Sequence, residues 1–237
     1  MEATFATAQN GLYAANQRLQ VNANNMSNLT TDGFKAQMAL QGDVYHHGTR
    51  FLGTADDMSI GAPEETGDDR NFYIQGEGFF EVATDGEPAY TRVGNFTVDR
   101  DGNLVTPTGH LLEPNIVVPE DSIGLTVTPD GVIASVSPEG EAQDLGQLQL
   151  ARFLNPNGLL SIGNNLYVQG PDSGDAQLAN PGDVGFGTIM SRYLEGSNVD
   201  PAAEITQQIV NQRSYQMNLR VFQTSDSLVG RAIDLFS

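Results

Sequence analysis

The stretch NANNMSNLTTDGFKAQ, residues 22–37, crowds asparagines together and then breaks at an Asp-Gly pair. Asparagine is a mediocre helix former, because its side chain competes for nearby backbone groups. At the end of a helix its amide can bond the exiting backbone, and on a helix seam it can bond a neighbouring helix in one register only. For Asn24 we favour a simple helix stop, and for Asn25 and Asn28 we favour registration between subunits.

The residues before and within this run carry a heptad pattern. Apolar residues, with one asparagine, alternate spacings of three and four, which is typical of a narrow helix seam. They are Phe5, Ala8, Leu12, Ala15, Leu19, Asn22, Met26 and Leu29. A helix over residues 2–28 would be about 40 Å long, and a seam of this kind predicts a partner helix.

A second heptad pattern runs through residues 198–237. Asp200 followed by Pro201 predicts an N-cap and the first turn of a helix. One stripe then comprises Ile205, Tyr215, Leu219, Phe222, Val229, Ile233 and Phe236, and it is widened by Val210, Met217, Val221 and Leu228. Polar residues interrupt the stripe at Gln208, Gln212 and Asp226, which is typical of a seam that restricts register and partner number.

Between these ends the period changes to two, with short strand patterns separated by turns. Hairpins are predicted about Asp85-Gly86, Asp101-Gly102 and Asp130-Gly131, and a further strand pattern across residues 145–160 ends at Asn157-Gly158. The predicted fold class is α+β, with long N- and C-terminal helices forming a coiled-coil domain and a β-rich middle domain. The helical ends cover residues 1–34 and 198–237, and the β-rich outer domain covers 71–168. Residues 35–70 and 169–197 are predicted linkers.

Composition and charge exclude several classes of protein. The formal net charge is -19, which argues against nucleic-acid binding because phosphate recognition needs a basic surface. Nearly all of the negative charge lies between residues 51 and 197, where we expect a solvated surface. The chain has no cysteine, which removes disulfides and Cys-ligated zinc. Residues 1–20 do not resemble a signal peptide, and no apolar run predicts direct membrane insertion.

Candidate chemical motifs are incomplete. His46-His47 could be a metal pair, but adjacent side chains point in different directions and no close ligand partner follows. Asp99–Gly102 shares part of a calcium loop, yet the third acid and the distal Glu are missing, so a hairpin turn explains it better. With three histidines and no GxSxG elbow, no catalytic triad is indicated. We predict no enzymatic activity, no cofactor and no metal.

Several stretches together resemble the bacterial flagellar hook and basal-body rod family. NANNMSNLTTDGFKAQ is similar to its N-terminal signature of an Asn pair, a small residue, Asn, Thr, Gly, an aromatic and a basic residue. The similarity continues through QGEGFFEV, AYTRVGNFTVDRDGNLVT, FLNPNGLLSIGNNLYV and LEGSNVDPAAEITQQIVNQRSYQMNLRVFQTSD. Within the family, the middle motifs are most similar to the distal rod subunit, and LEGSNVD and GRAIDLFS are closer to a proximal one.

The resemblance implies a structural subunit of the flagellar rod. The terminal helices would pack as an inner coiled-coil tube with the β-rich domain outside it. The subunit would leave the cell through the flagellar type III export apparatus without signal cleavage, and would polymerise helically with itself and with other rod and hook proteins to transmit motor torque. We expect subunit contacts at Leu12, Leu19, Asn22, Asn25, Met26, Asn28, Gly33, Phe34, Ile205, Tyr215, Leu219, Phe222, Val229 and Ile233.

Two alternatives from other classes stay open at this point. The first is a secreted β-rich adhesin or carbohydrate-binding module with helical oligomerisation ends. The second is an enzyme with an acidic cleft. Filament formation by the purified chain would favour the rod subunit, and glycan binding by the isolated middle would favour the first alternative.

Overall fold

The structure is a computed structural model that describes residues 2–44, 48–84 and 86–236, with side chains described for 6–43, 48–84 and 86–228. The predicted metal pair His46-His47 and the turn residue Asp85 lie outside the described residues. The chain divides into two compact units. The helical unit comprises residues 1–29, 36–57 and 199–237, and the sheet unit comprises residues 30–35 and 58–198.

Two helices and one hairpin make up the helical unit. The helices are α1 (Glu2–Ser27) and α2 (Pro201–Phe236), and the strands are β1 (Gln37–Val44) and β2 (Gly48–Asp56). The two strands are antiparallel, with a bulge between Leu40 and Gln41. Exposure alternates along most of β2, as expected of a hairpin with one face against a helix. Neither helix has an apolar stretch that would cross a bilayer, over the length for which they are described.

The start of α2 follows from a side-chain cap. The Oδ1 atom of Asp200 accepts hydrogen bonds from the backbone N–H of Ala202 at 2.9 Å and of Ala203 at 3.3 Å. These are donors that the first turn of a helix cannot satisfy itself. The predicted N-cap is confirmed.

Antiparallel strands build the sheet unit. They are β3 (Pro63–Glu65), β4 (Phe72–Gln75), β5 (Phe79–Ala83), β6 (Ala89–Thr91), β7 (Thr97–Val98), β8 (Leu104–Val105), β9 (Leu111–Glu113), β10 (Gly124–Val127), β11 (Val132–Val136), β12 (Ala142–Gln147), β13 (Leu150–Arg152), β14 (Leu160–Gly163), β15 (Leu166–Val168), β16 (Gln177–Ala179), β17 (Thr188–Ser191) and β18 (Tyr193–Glu195). The largest sheet has the order β14-β15-β6-β5-β9-β8-β7, and β13 joins it by pairing with both β5 and β16. Three smaller sheets are formed by β10-β11-β12, by β17-β4 and by β18-β3.

Alternating strand residues supply one main core. Phe72, Phe80 and Phe96 meet at its centre, with ring centroids 5.7 Å apart for Phe72 and Phe96 and 5.3 Å apart for Phe80 and Phe96. Such tilted and edge-on contacts are favourable for aromatic pairs. A second, smaller cluster includes Phe79 and Tyr90. The sheet unit therefore has its own apolar interior.

The predicted hairpins are confirmed in the sheet unit, where β5 pairs with β6, β7 with β8, and β10 with β11. The Asp99 carboxylate serves its turn, because its Oδ1 atom accepts from the backbone N–H of Asp101 at 2.9 Å and of Asn103 at 2.8 Å. The side-chain Nδ2 atom of Asn103 donates to Oδ2 of Asp99 at 3.0 Å. This hydrogen bond first, and then those of the backbone, hold the pKa of Asp99 below its ordinary value. The turn accounts for the acidic residues that resemble part of a calcium loop.

The predicted fold class, α+β built on long terminal helices in a coiled-coil domain, is wrong. The described chain has a single helix at either end and a mainly β middle. The helical unit also contains a β-hairpin formed by residues 37–56, a part of the chain for which a linker was predicted. The error arose because heptad patterns at the ends were given more weight than the many short strand patterns, and because the β1–β2 hairpin lacks an Asp-Gly or Asn-Gly turn signal.

Candidate assembly surface

The face that α1 and α2 share is polar where the end of α1 meets the start of α2. Asn22 donates from Nδ2 to the carboxylate of Glu204, and Asn25 donates to the Oε1 atom of Glu204 at 2.7 Å. Asn211 of α2 donates to the Oδ1 atom of Asn22 at 2.6 Å. All three asparagines are buried, so each bond satisfies a group that has left water. Amides around one carboxylate thus join the two helices here, and we call Asn22, Asn25, Glu204 and Asn211 the polar seam.

Asn25 also fixes the start of β1. Its Nδ2 atom donates to the carbonyl of Gln37 at 2.9 Å, and its Oδ1 atom accepts from the backbone N–H of Gln37 at 2.8 Å. The side chain therefore pairs with a strand residue as a backbone amide would. Asn25 thus has an intrachain role that sequence reasoning missed, and its predicted role in subunit registration stays a prediction.

The next asparagine closes the helix. The Nδ2 atom of Asn28 donates to the carbonyl of Asn24 at 2.9 Å, and the backbone N–H of Asn28 lies 3.2 Å from the same oxygen. These bonds satisfy a carbonyl in the last turn of α1, where intrahelical partners run out. The asparagine run therefore stops a helix at Asn28 and binds neighbouring elements at Asn25. The predicted role of Asn28 in subunit registration also stays a prediction.

Four exposed apolar residues of α2 lie on a different face from this polar seam. Val210, Met217, Val221 and Leu228 are between 45% and 61% exposed. At 3.6 residues per turn they fall within about 40° of one another, and their centre lies about 100° from Asn211. A contiguous apolar stripe left open on a folded chain marks a binding surface. We call these four residues the outer stripe.

The structure distributes the predicted contact residues over several environments. In the helical unit Leu12, Leu19, Met26, Asn28, Leu219 and Phe222 are half-buried, Asn22 and Asn25 are buried, and Ile205 and Tyr215 are exposed. Gly33 is buried and Phe34 half-buried in the sheet unit. The side chains of Val229 and Ile233 lie outside the described residues. The sequence showed the outer stripe only as a widening of the seam, and the structure leaves all four of its side chains exposed.

The end of the N-terminal signature belongs to the sheet unit and is bound there to its last strand. The backbone N–H of Gly33 donates to the carbonyl of Glu195 at 2.6 Å, and the N–H of Asn198 donates to the carbonyl of Phe34 at 3.3 Å. Gly33 has a φ of +63°, and a Cβ atom there would lie 2.6 Å from Cγ2 of Val93. Both the backbone conformation and the space favour glycine.

A buried ion cluster of Lys35, Arg92 and Glu195 lies next to these hydrogen bonds. Lys35 Nζ lies 2.5 Å from Oε1 of Glu195, and Arg92 Nε lies 2.8 Å from Oε2. The three side chains are at most 4% exposed. Lys35 also donates to the carbonyl of Ser59 at 2.6 Å, and the N–H of Gly61 donates to Glu195 at 3.0 Å. One carboxylate therefore serves two cations and a backbone donor.

Backbone carbonyls solvate the excess positive charge of this cluster. The guanidinium of Arg92 donates to the carbonyls of Gly76 at 2.9 Å, Gly78 at 2.5 Å and Ile74 at 3.2 Å. Burial, and then the charge of Glu195, raise the pKa of Tyr73. Sequence reasoning missed the cluster, although each member is a lone charge inside a largely uncharged motif: GFK, YTRVG and YLEG.

Comparison with known proteins bears on both the cluster and the outer stripe. The chain is 35% identical to the flagellar basal-body rod protein FlgG of Caulobacter vibrioides, an alignment that covers 94% of this chain and 95% of that protein. The chain belongs to the FlgG family of flagellar basal-body rod proteins. It is 37% identical to FlgG of Bacillus subtilis over 92% of this chain and 93% of the relative, and 34% identical to FlgG of Borreliella burgdorferi over 97% of each.

Two family models match separate parts of the chain. Residues 73–135 match the flagellar hook protein FlgE/F/G D1 domain, and residues 190–235 match the flagellar basal body rod FlgEFG protein C-terminal. The first match contains Arg92, and the second contains Glu195 and the outer stripe. The FlgG family consists of structural proteins. The predicted resemblance to hook and rod proteins is confirmed by both family models.

Proposed function

We propose that this chain is a structural subunit of the flagellar basal-body rod and that it polymerises through its terminal helices. The observation that carries the proposal is the outer stripe, Val210, Met217, Val221 and Leu228, which is apolar, follows heptad spacing and is open in the single chain. Membership of the FlgG family supports the place of the subunit in the rod. Nothing in that membership favours an adhesin, a carbohydrate-binding module or an enzyme.

The polar seam supports polymerisation as well. Because the outer stripe lies about 100° around α2 from Asn211, its apolar surface is left for another subunit. An apolar stripe of one subunit that packs on a different surface of the next makes a contact that does not close, and repeated contacts of this kind produce a helical filament. A rod that transmits torque needs such a continuous array.

The proposal extends to partners and to the route of assembly. Other rod and hook proteins would contact the ends of the polymer, and the subunit would be exported through the flagellar type III apparatus without cleavage. The names of the relatives support the basal body as its location. Motility should accordingly depend on the chain.

Polymerisation of the purified chain tests the proposal. The variant Met217→Gln/Val221→Gln makes the outer stripe polar, and glutamine is a good helix former at both positions. We expect it to stay monomeric in sedimentation velocity at concentrations where the unmodified chain forms filaments visible by electron microscopy. The matched control is Gln223→Ala, an exposed position of α2 away from the stripe. Filaments formed equally well by the stripe variant would contradict the proposed role of this surface.

A further inference from the structure

We infer that a polar groove in the helical unit, beside Arg18, receives a carboxylate side chain from a second copy of this chain. The inference rests on the proposed polymerisation and gives it a specific electrostatic contact. The groove has a volume of about 350 Å³. Residues of α1 line it together with β1 on one side and α2 on the other, among them Arg18, Gln41 and Gln207.

Arg18 is the least satisfied charged group of this groove. Its Nε atom is buried and has no hydrogen-bond partner. Its Nη2 atom reaches only the hydroxyl of Ser214, at 3.4 Å, near the limit of a hydrogen bond. Among the residues that the structure describes, no carboxylate lies within 4.0 Å of this guanidinium. A guanidinium offers five donors in a planar fork that fits a carboxylate. The buried Nε atom cannot be reached from another chain, but the two terminal nitrogens of Arg18 can bind a carboxylate end-on, and the single chain does not provide one.

The groove's own carboxylate is already engaged. Glu204 accepts from the amides of Asn22 and Asn25, and these bonds hold it in the seam between the helices. Gln41 and Gln207 are exposed at the groove and can add amide donors to an incoming oxygen. The groove therefore combines one under-used cation with neutral donors, which is the chemistry of an anion site.

Charges elsewhere in the helical unit indicate where the carboxylate comes from. Asp43 near the end of β1 and Asp226 of α2 are exposed, and within the described part of the chain neither has a cation within 4.0 Å. In the sheet unit, by contrast, Arg70, Arg152 and Arg192 each pair with an acid of that unit. An unpaired arginine and unpaired aspartates on one unit are complementary between copies, and a polymer brings both together in a fixed ratio.

Charge exchange between two positions tests the inference. Arg18→Gln removes a cation that has no acid partner in the single chain, so its thermal unfolding should match that of the unmodified chain. The critical concentration for polymerisation should rise roughly tenfold, because a charge-assisted pair between subunits is lost. Arg18→Glu should abolish polymerisation. One of two second substitutions, Asp43→Arg or Asp226→Arg, should restore it when it is combined with Arg18→Glu. The exchange that succeeds identifies the donor of the carboxylate.

The possible failures are distinct. Unchanged polymerisation of Arg18→Gln would overturn this inference and leave the proposed function intact. Three results together would show that the groove binds a free anion: Arg18→Glu blocks polymerisation, neither exchange restores it, and sulfate raises the melting temperature of the unmodified monomer. That outcome would overturn the inference. If the unmodified chain forms no filament under any condition, the proposed function fails and this inference falls with it.

Discussion

Replacing Glu195 by glutamine would remove the one negative charge from a site where Lys35 and Arg92 are both buried. The glutamine oxygen could still accept one hydrogen bond, such as that of the Gly61 N–H at 3.0 Å. It could not balance two cations, whose side chains are 1% and 4% exposed. Loss of one partner from a buried ion pair costs about 3–5 kcal/mol. We expect Glu195→Gln to lower the free energy of unfolding of the sheet unit by that amount.

A second substitution separates charge balance from simple loss of contacts. Lys35→Met removes one cation and leaves Glu195 paired with Arg92. The Ser59 carbonyl keeps a hydrogen bond from Nδ2 of Asn198 at 3.1 Å. The remaining cost is the loss of one hydrogen bond from a charged donor, about 1.5–3 kcal/mol, so this variant should be the less damaged of the two. Arg192→Gln serves as the control for a more exposed ion pair, because the side chains of Arg192 and Asp69 are 60% and 29% exposed. Its unfolding midpoint should be nearly unchanged, since exposed pairs are screened by water and salt.

Unfolding in urea, which does not screen ion pairs, measures these differences. The chain has no tryptophan, and the buried tyrosines Tyr73, Tyr90 and Tyr167 all belong to the sheet unit. The near-ultraviolet circular dichroism of tyrosine therefore reports on that unit, and the signal at 222 nm reports on the helices. A loss below about 1 kcal/mol for Glu195→Gln, or a loss no larger than that of Lys35→Met, would refute the argument from uncompensated charge.

Three further substitutions address single features. Burial, and then the charge of Glu113 directly across the strand pair, raise the pKa of Glu81 above its ordinary value of 4.5. The folded state therefore loses stability as pH rises through that raised pKa. Glu81→Gln should increase the melting temperature by about 1 °C at pH 7 and not at pH 3. Gly33→Ala should destabilise the sheet unit by about 2 kcal/mol in urea, because the left-handed backbone and the contact with Val93 both disfavour a Cβ atom, and an unchanged midpoint would contradict this. Asn25→Ala should lower the stability of the helical unit by about 1–3 kcal/mol at 222 nm despite the better helix propensity of alanine, because buried partners lose their bonds; a gain in stability would mean that helix propensity dominates at this position.

Local signals in the sequence predicted local structure well. The turns of the β7–β8 and β10–β11 hairpins and the cap at Asp200 depend on residues next to one another, and these predictions are confirmed, as is the pairing of β5 with β6. The β1–β2 hairpin was missed because its tip has no two-residue turn signal, and the overall fold class was wrong partly for that reason. The ion cluster was beyond sequence reasoning, because Lys35 and Glu195 are 160 residues apart and only the folded sheets bring them together.

For the candidate surface, the sequence identified the helix α2 and one of its faces. The heptad pattern favoured Leu219 and Phe222 as seam residues, and both are half-buried. It also placed Asn22 on the seam of α1, but it did not show that Glu204 and Asn211 would bond to that residue, because a periodic pattern shows which residues share a face and does not show which face a partner covers.

The polar seam between α1 and α2 links the folding of the helices to the amount of subunit present. A partner that covers the outer stripe binds the folded helices and not the unfolded chain, so it stabilises them by RT ln(1 + [subunit]/Kd). At a free concentration one hundred times Kd the gain is about 2.7 kcal/mol, which is comparable to the loss of a buried hydrogen-bonded group. A growing end of the polymer would thus act as a template that orders the helices of each arriving subunit, and a subunit released into dilute solution would lose that order first in its helices.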